Sequence, residues 1–349
     1  MEEKESKSAA EYIKLGNDYR NGQGVEKDED LALDWYQKAA ELGDGEASLI
    51  LGDMYNYYYR DGENHEMAFY WYQKSADLDY AEGQQAVGYM YQHGLGVEQD
   101  DEQAFHWYQK SANQGHASGQ INLAIMYQDG RGIDQNDEQA FYWYQKLADL
   151  DYAEGQQSLG YMYQHGLGVT QDNEQAFHWY QKSANQGYAS GQINLAIMYQ
   201  DGRGIDQNDE QAFYWYQNLA DLDYAEGQQS LGYMYQHGLG VEQDDENAVY
   251  WYRKAADQGH ANAQFNLGFM YETGRSVDQD FYTAICWYRK AADSGHANAQ
   301  FNLGVMCETG RGVEQDFYLA AYWYRQAVDL GNEYAQKRIS EMYAEGKIS

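Results

Sequence analysis

Proline occurs nowhere in this 349-residue chain, cysteine occurs twice, and 23 basic residues face 56 acidic ones. Missing too is any Ser/Gly/Pro-rich linker of the kind that separates domains, although the length could hold two or three. No stretch approaches the 18 or so apolar residues of a membrane span, which argues against membrane insertion. The start, "MEEKESKSAAEY", lacks the basic residues and apolar run of a secretory signal; taken as the native start, it predicts a cytoplasmic protein. Cys286 and Cys307 belong to no CxxC and read as two reduced, half-buried thiols rather than a disulfide or a metal site. The shortage of bases leaves a net charge of −33. Nucleic acid is therefore a poor partner, since its phosphates would be repelled, and an anionic membrane surface is disfavoured for the same reason. A basic protein surface would be attracted, although charge of this size equally serves solubility.

What the chain does contain is apolar and aromatic material: 43% hydrophobic residues and 37 tyrosines, enough for a core despite the charge. Its tryptophans, Trp35, Trp71, Trp107, Trp143, Trp179, Trp215, Trp251, Trp287 and Trp323, stand 36 residues apart. Each is followed by tyrosine and preceded at three residues by alanine, and a Leu-Gly-like pair (Leu51-Gly52, Val87-Gly88, Leu123-Ala124) keeps the same interval. Within a period, Gly83, Val87, Gly88, Met90 and Tyr91 share one face of a helix over Ala81 to His93, and Gly94 and Gly96 supply the turn. An Asp or Asn then caps a second helix in every period: Asp28, Asn64, Asp100, Asn136, Asp172, Asn208, Asp244, Asp280 and Asp316. Gln103, Gln139, Gln175 and Gln211, three residues on, predict a capping box. Ala104, Trp107, Tyr108 and Ala112 share a face of that second helix and read as filler between helices.

Helix pairs this short cannot bury their apolar faces alone, so unit must stack on unit in an α-solenoid. The expected organisation is a polar tail over 1–8, nine tandem 36-residue repeats over 9–331 in one continuous array, and a capping helix over 332–349 carrying Ile339, Met342 and Tyr343. A longer period overlies the first: residues 80–151 and 152–223 differ at six positions only.

The segment "ANAQFNLGFMYETGRSVDQDFYTAICWYRKAADSG" closely resembles the SEL-one-like repeat, a relative of the tetratricopeptide repeat, and the likeness runs from about Ala9 to Ala344. Its marks are an early alanine, Leu-Gly, Met-Tyr, a Gly-x-Gly turn, an Asp, an Ala, Trp-Tyr and a terminal Ala-Ala with glycine. The resemblance implies an all-α, right-handed α/α superhelical solenoid that acts as an adaptor or scaffold and binds partners on a concave face lined by the first helices. Some such proteins serve in signalling, host interaction, envelope assembly or toxin neutralisation. Cysteine-rich members staple each helix pair with a disulfide, for which this chain has no cysteines. Two departures touch the turns: Tyr58 and Arg60 replace both glycines in the second period, and Ser276 replaces the second glycine in the eighth.

No phosphate loop, SxxK, GxSxG or HExxH occurs, and the recurring histidines, His93, His165 and His237 among them, are spread along the array rather than convergent. The acidic turns lack calcium-loop spacing. No catalytic residue, cofactor or metal site is therefore assigned. The variable residue of Leu-Gly-x-Met forms a ladder instead: Tyr89, Ile125, Tyr161, Ile197, Tyr233 and Phe269. One turn earlier stand Ile121, Ile193, Phe265 and Phe301, and beside them run Gln92, Gln128, Gln164 and Gln200. These residues suit a peptide or helix with some positive charge, or else they pack one first helix on the next. The reading is a monomeric, non-enzymatic protein-binding scaffold. The alternative is a toxin-neutralising immunity protein whose acidic surface meets a basic partner.

Overall fold

The computed structural model describes residues 7–58 and 64–349, with Tyr58 described in its backbone alone. Most of the expected 1–8 tail, the Tyr58 side chain and Arg60 therefore lie outside the described residues. Two compact units divide after Asp172.

The first unit contains α1 (Ala9–Asn21), α2 (Glu29–Glu41), α3 (Gly45–Tyr58), α4 (His65–Asp77), α5 (Ala81–His93), α6 (Asp101–Asn113), α7 (Ala117–Asp129), α8 (Asp137–Asp149) and α9 (Ala153–His165). The second contains α10 (Asn173–Asn185), α11 (Ala189–Asp201), α12 (Asp209–Asp221), α13 (Ala225–His237), α14 (Asp245–Asp257), α15 (Ala261–Thr273), α16 (Phe281–Asp293), α17 (Ala297–Thr309), α18 (Phe317–Asp329) and α19 (Glu333–Ala344). Each unit is an all-α array in which a helix packs on its neighbours in sequence, and first helices of adjacent periods also touch, as α3 does α5 and α5 does α7. Among the described residues no strand occurs, and no helix is long and apolar enough to cross a membrane.

Glycine punctuates the first helices as the spacing predicts. Gly94 sits left-handed (φ 64°) and donates its N–H to the Met90 carbonyl, ending α5. Gly96 (φ 66°) lies so close to α4 that a Cβ there would stand 2.1 Å from the His65 carbonyl oxygen, so a side chain at this point would strike backbone. Ser276 keeps the left-handed angle (φ 54°) that glycine has elsewhere, so the turn survives the substitution at a conformational cost.

Asp28, Asp100, Asn136, Asn208, Asp244, Asp280 and Asp316 accept backbone N–H bonds as N-caps. Two expectations need correction. Asn64 makes no side-chain capping bond. The capping box also fails at Gln103, Gln139 and Gln211, because the cap N–H is already donated to the preceding first helix: Asp100 to the Tyr91 carbonyl (3.0 Å), Asn136 to Tyr127 (2.8 Å) and Asn208 to Tyr199 (2.8 Å). The reciprocal box occurs instead at Ser8 and Glu11, at the start of α1.

The core is a row of similar layers. Leu51, Val87, Leu123 and Leu159 of the first unit are fully buried, as are Leu195, Leu231 and Leu267 of the second. Tyr36, Tyr108, Tyr252, Tyr288 and Tyr324 are fully buried, whereas the tryptophans divide. Trp107, Trp143, Trp179 and Trp323 are buried, and Trp35, Trp71, Trp215, Trp251 and Trp287 only partly so. Of the pair read as filler, tyrosine is the constant brick.

Why Leu-Gly precedes the turn follows from that tyrosine. A Cβ on Gly88 would stand 2.7 Å from the Tyr108 ring, and one on Gly232 would stand 2.5 Å from Tyr252. Where alanine takes this place, at Ala124 and Ala196, the tyrosine hydroxyl stands 3.3 Å from its glutamine partner (Tyr144 to Gln128, Tyr216 to Gln200). Opposite glycine the corresponding bond, Tyr252 to Gln236, is 2.7 Å.

At the C-terminal end, α19 packs on α18. Ile339 and Met342 are buried, while Tyr343 is exposed and accepts from Arg325 Nη2 (2.8 Å). Glu308 of α17 is the anchor. It takes a bidentate bond from Arg338, with Nε to Oε2 at 2.9 Å, one from Lys347 Nζ (3.1 Å) and one from the Tyr324 hydroxyl (3.0 Å). Arg338, pulled close, holds the Glu308 carboxyl down at about 2. Cys307 is buried and Cys286 exposed, so the expectation of two half-buried thiols is corrected at both; burial pushes the Cys307 thiol up.

Candidate functional site

The structure divides the predicted ladder into rings that reach solvent and side chains that pack. Tyr89, Tyr161, Tyr233 and Phe269 are each about two-fifths exposed (44, 40, 40 and 39%). Ile121, Ile125, Ile193 and Ile197 are half-buried, and Ile193 and Ile197 lie against the core layer formed by Ala196, Ala212 and Tyr216. Phe265 stacks on His296 (centroids 4.6 Å, planes 20° apart), and Phe301 tilts against Tyr324 at 5.5 Å. Large rings one turn before the ladder thus serve packing in the second unit.

The glutamines beside the ladder have a structural task. The Gln92 amide meets the Tyr108 hydroxyl at 2.7 Å, and the Gln128 and Gln200 side chains accept from Tyr144 and Tyr216. Gln164 is half-buried, and its backbone carbonyl accepts from Gln171 (2.8 Å). Further along the second unit the acceptor becomes a carboxylate, with Tyr288 donating to Glu272 at 2.7 Å. Burial pushes the Tyr288 and Tyr252 phenols well up, so these hydroxyls remain donors. This bond spans 16 residues, a separation without any local sequence signal.

Sequence reasoning missed two features. The exposed ladder tyrosines are paired with the histidine one turn on: Tyr89 with His93 (4.3 Å), Tyr161 with His165 (4.3 Å) and Tyr233 with His237 (4.1 Å). The i, i+4 aromatic spacing was the available signal. The second feature is a cleft of about 530 Å³ in the first unit, where α3, α5 and α7 run side by side. Asp53, Tyr57, Tyr72, Glu82, Tyr89 and His116 line it. Asp53 accepts from the Tyr72 hydroxyl (2.8 Å), yet burial holds its carboxyl above the usual range. A cleft of this size, with rings and carboxylates on its walls, can take a side chain that is apolar along its length and cationic at its tip. Among the described residues, no three His, Cys, Asp or Glu side chains converge as metal ligands would.

The family model of the Sel1 repeat matches nine successive segments: 12–44, 45–80, 81–116, 117–152, 153–188, 189–224, 225–260, 261–296 and 297–332. Among solved structures, a protective antigen present in uropathogenic Escherichia coli strains, displaying an SLR fold, is 32% identical. That match covers 97% of this chain and 80% of the antigen, with a TM-score of 0.71. A Sel1 repeat protein from Oxalobacter formigenes is 29% identical over 97% of this chain and 95% of its own, with a TM-score of 0.73. No curated protein matches the chain.

Proposed function

The chain belongs to the Sel1 repeat family, whose members are generally protein-interaction scaffolds, and from that premise we propose that it is a non-enzymatic scaffold binding a protein or peptide through its first helices. The observation that carries this reading is the solvent exposure of Tyr89, Tyr161, Tyr233 and Phe269, at a register where Ile125 and Ile197 are half-buried. Large rings left open to water at one repeated position are better suited to a partner than to the interior, and tyrosine is favoured at interface centres. Acidic walls give the occupant its character. Asp53 and Glu82 share the first-unit cleft with Tyr89, in a chain of net charge −33, so the segment bound there carries lysine or arginine beside an apolar or aromatic side chain.

Peptide display against the full chain tests the proposal. Selected peptides should be enriched in a base next to an apolar residue, and should lose binding when Tyr89 becomes serine. Peptides that bind Tyr89→Ser and the unaltered chain alike would place the interaction elsewhere.

A further inference from the structure

The second helices carry a cation on an aromatic face, and the chain supplies it from within. Three residues after the tryptophan, a lysine ammonium lies over the indole: Lys38 over Trp35 at 3.9 Å, Lys110 over Trp107 at 4.1 Å, Lys146 over Trp143 at 4.7 Å and Lys182 over Trp179 at 4.4 Å. Lys254 and Lys290 do the same over Trp251 (5.2 Å) and Trp287 (4.0 Å). Spacing of i, i+3 on one helix face permits this, and the ring quadrupole favours it. In the second period Lys74 lies over Tyr70 (5.6 Å) instead, and two periods lack the lysine, with Asn218 in the sixth and Gln326 in the last.

At that place the second unit has an open cleft of about 340 Å³, between the end of α16 and α18. Its walls include Tyr322, Trp323, Asp293, Asp329, Gln300 and Gln326. The corresponding cleft in the first unit, seven periods earlier, has Tyr70, Trp71, Glu41 and Asp77 at the equivalent points, and Lys74 where the later one has Gln326. Tyr322 is half exposed and sits edge-on to Trp323 at 5.2 Å. Among the described residues, neither Asp293 nor Asp329 has a cationic side chain within ion-pair distance. Gln300, 6% exposed, donates from Nε2 to the Ala292 carbonyl (3.2 Å) and leaves Oε1 without a partner.

We propose that the Tyr322–Trp323 cleft binds the arginine side chain of a partner protein, supplied from outside where seven other periods supply their own lysine. A guanidinium is flat enough to lie along the rings and carries charge for Asp293 and Asp329. This site lies mainly on the second helices α16 and α18, with Gln300 of α17 in its wall, and shares no residue with the ladder of exposed first-helix rings.

The test uses the full chain with ¹⁵N-labelled tryptophan, the Trp323 indole signal being assigned through Trp323→Phe. An acetylated Gly-Arg-Gly amide is titrated beside its citrulline counterpart, which has the same shape without the charge. The arginine peptide should shift the Trp323 signal saturably, and citrulline should bind roughly tenfold more weakly or worse. Gln326→Lys places here the residue that stands at this register in seven other periods, so the variant should keep its Tm while its own ammonium, standing by the rings as Lys74 does by Tyr70 (5.6 Å), repels a second cation. Arginine affinity should then fall by roughly tenfold. Equal binding of citrulline, undiminished binding to Gln326→Lys, or uniform movement of every indole signal would each overturn the proposal.

Discussion

Replacing Glu308 by glutamine should remove a pH-dependent clamp from the end of the array. The Glu308 carboxylate is 8% exposed and is held by Arg338 first, then by Lys347 and the Tyr324 hydroxyl, which lowers its titration from 4.5 to about 2. Since the folded value lies below the unfolded one, the stabilisation is complete above pH 4.5 and is lost as pH falls from there towards 2. A displacement of this size corresponds to about 3 kcal/mol, an upper figure because Arg338 also bonds Glu341 and Glu345 and keeps partners when Glu308 is neutral. Repeat arrays open locally from their ends, so the suitable readout is hydrogen exchange of α17 to α19, corrected for intrinsic rate, in the unaltered chain and in Glu308→Gln. Between pH 7 and 5 the unaltered chain should protect α19 by roughly 2–3 kcal/mol more than the variant, and the two should converge towards pH 2.5. A difference that does not change with pH would refute the reasoning, since it would mean that packing of Ile339 and Met342 alone holds the helix.

Three further outcomes follow from the interior and the turns. Tyr252→Phe removes the donor to Gln236, leaving a buried amide oxygen unsatisfied, and should cost about 1–2 kcal/mol in urea denaturation. Ser276→Gly relieves a left-handed serine and should raise stability by about 1 kcal/mol; Gly132→Ala, whose Cβ would stand 2.1 Å from the Asp101 carbonyl oxygen, should lower it by about 2 kcal/mol or more. With a thiol reagent at neutral pH, Cys286 should react promptly, and buried Cys307 only after denaturation.

Much of the architecture is legible because it is local and repeated. The tryptophan interval marks the period, and the apolar spacing over 81–93 delimits α5 to the residue, since helix termini here are written in Gly94 and Asp100. The capping box was misread for a reason no single helix contains: the Asp100 N–H belongs to the carbonyl of Tyr91 on the preceding helix. The ladder shows the same limit. One register holds both exposed Tyr161 and half-buried Ile125, because exposure depends on side-chain length and on what the adjacent periods present, not on position in the repeat. Gln92, Gln128 and Gln200, read as the edge of a groove, acquire a partner 16 residues on only when the helices are packed. The first-unit cleft is built by residues of α3, α4, α5 and α7 at once, so no window of sequence could display it.

The central claim, that open rings on the first helices meet a partner, is tested most directly by comparing affinity with stability for one substitution series. A display-selected peptide is titrated by calorimetry against the full chain and against Tyr89→Ser and Tyr161→Ser of the first unit, alone and combined, with exposed Tyr282→Ser as control. The combined variant should lose affinity by roughly thirtyfold, from about 1 kcal/mol or more per ring, while its Tm stays near that of the control. Unchanged affinity together with a fall in Tm would show that these rings only pack, and would contradict the account.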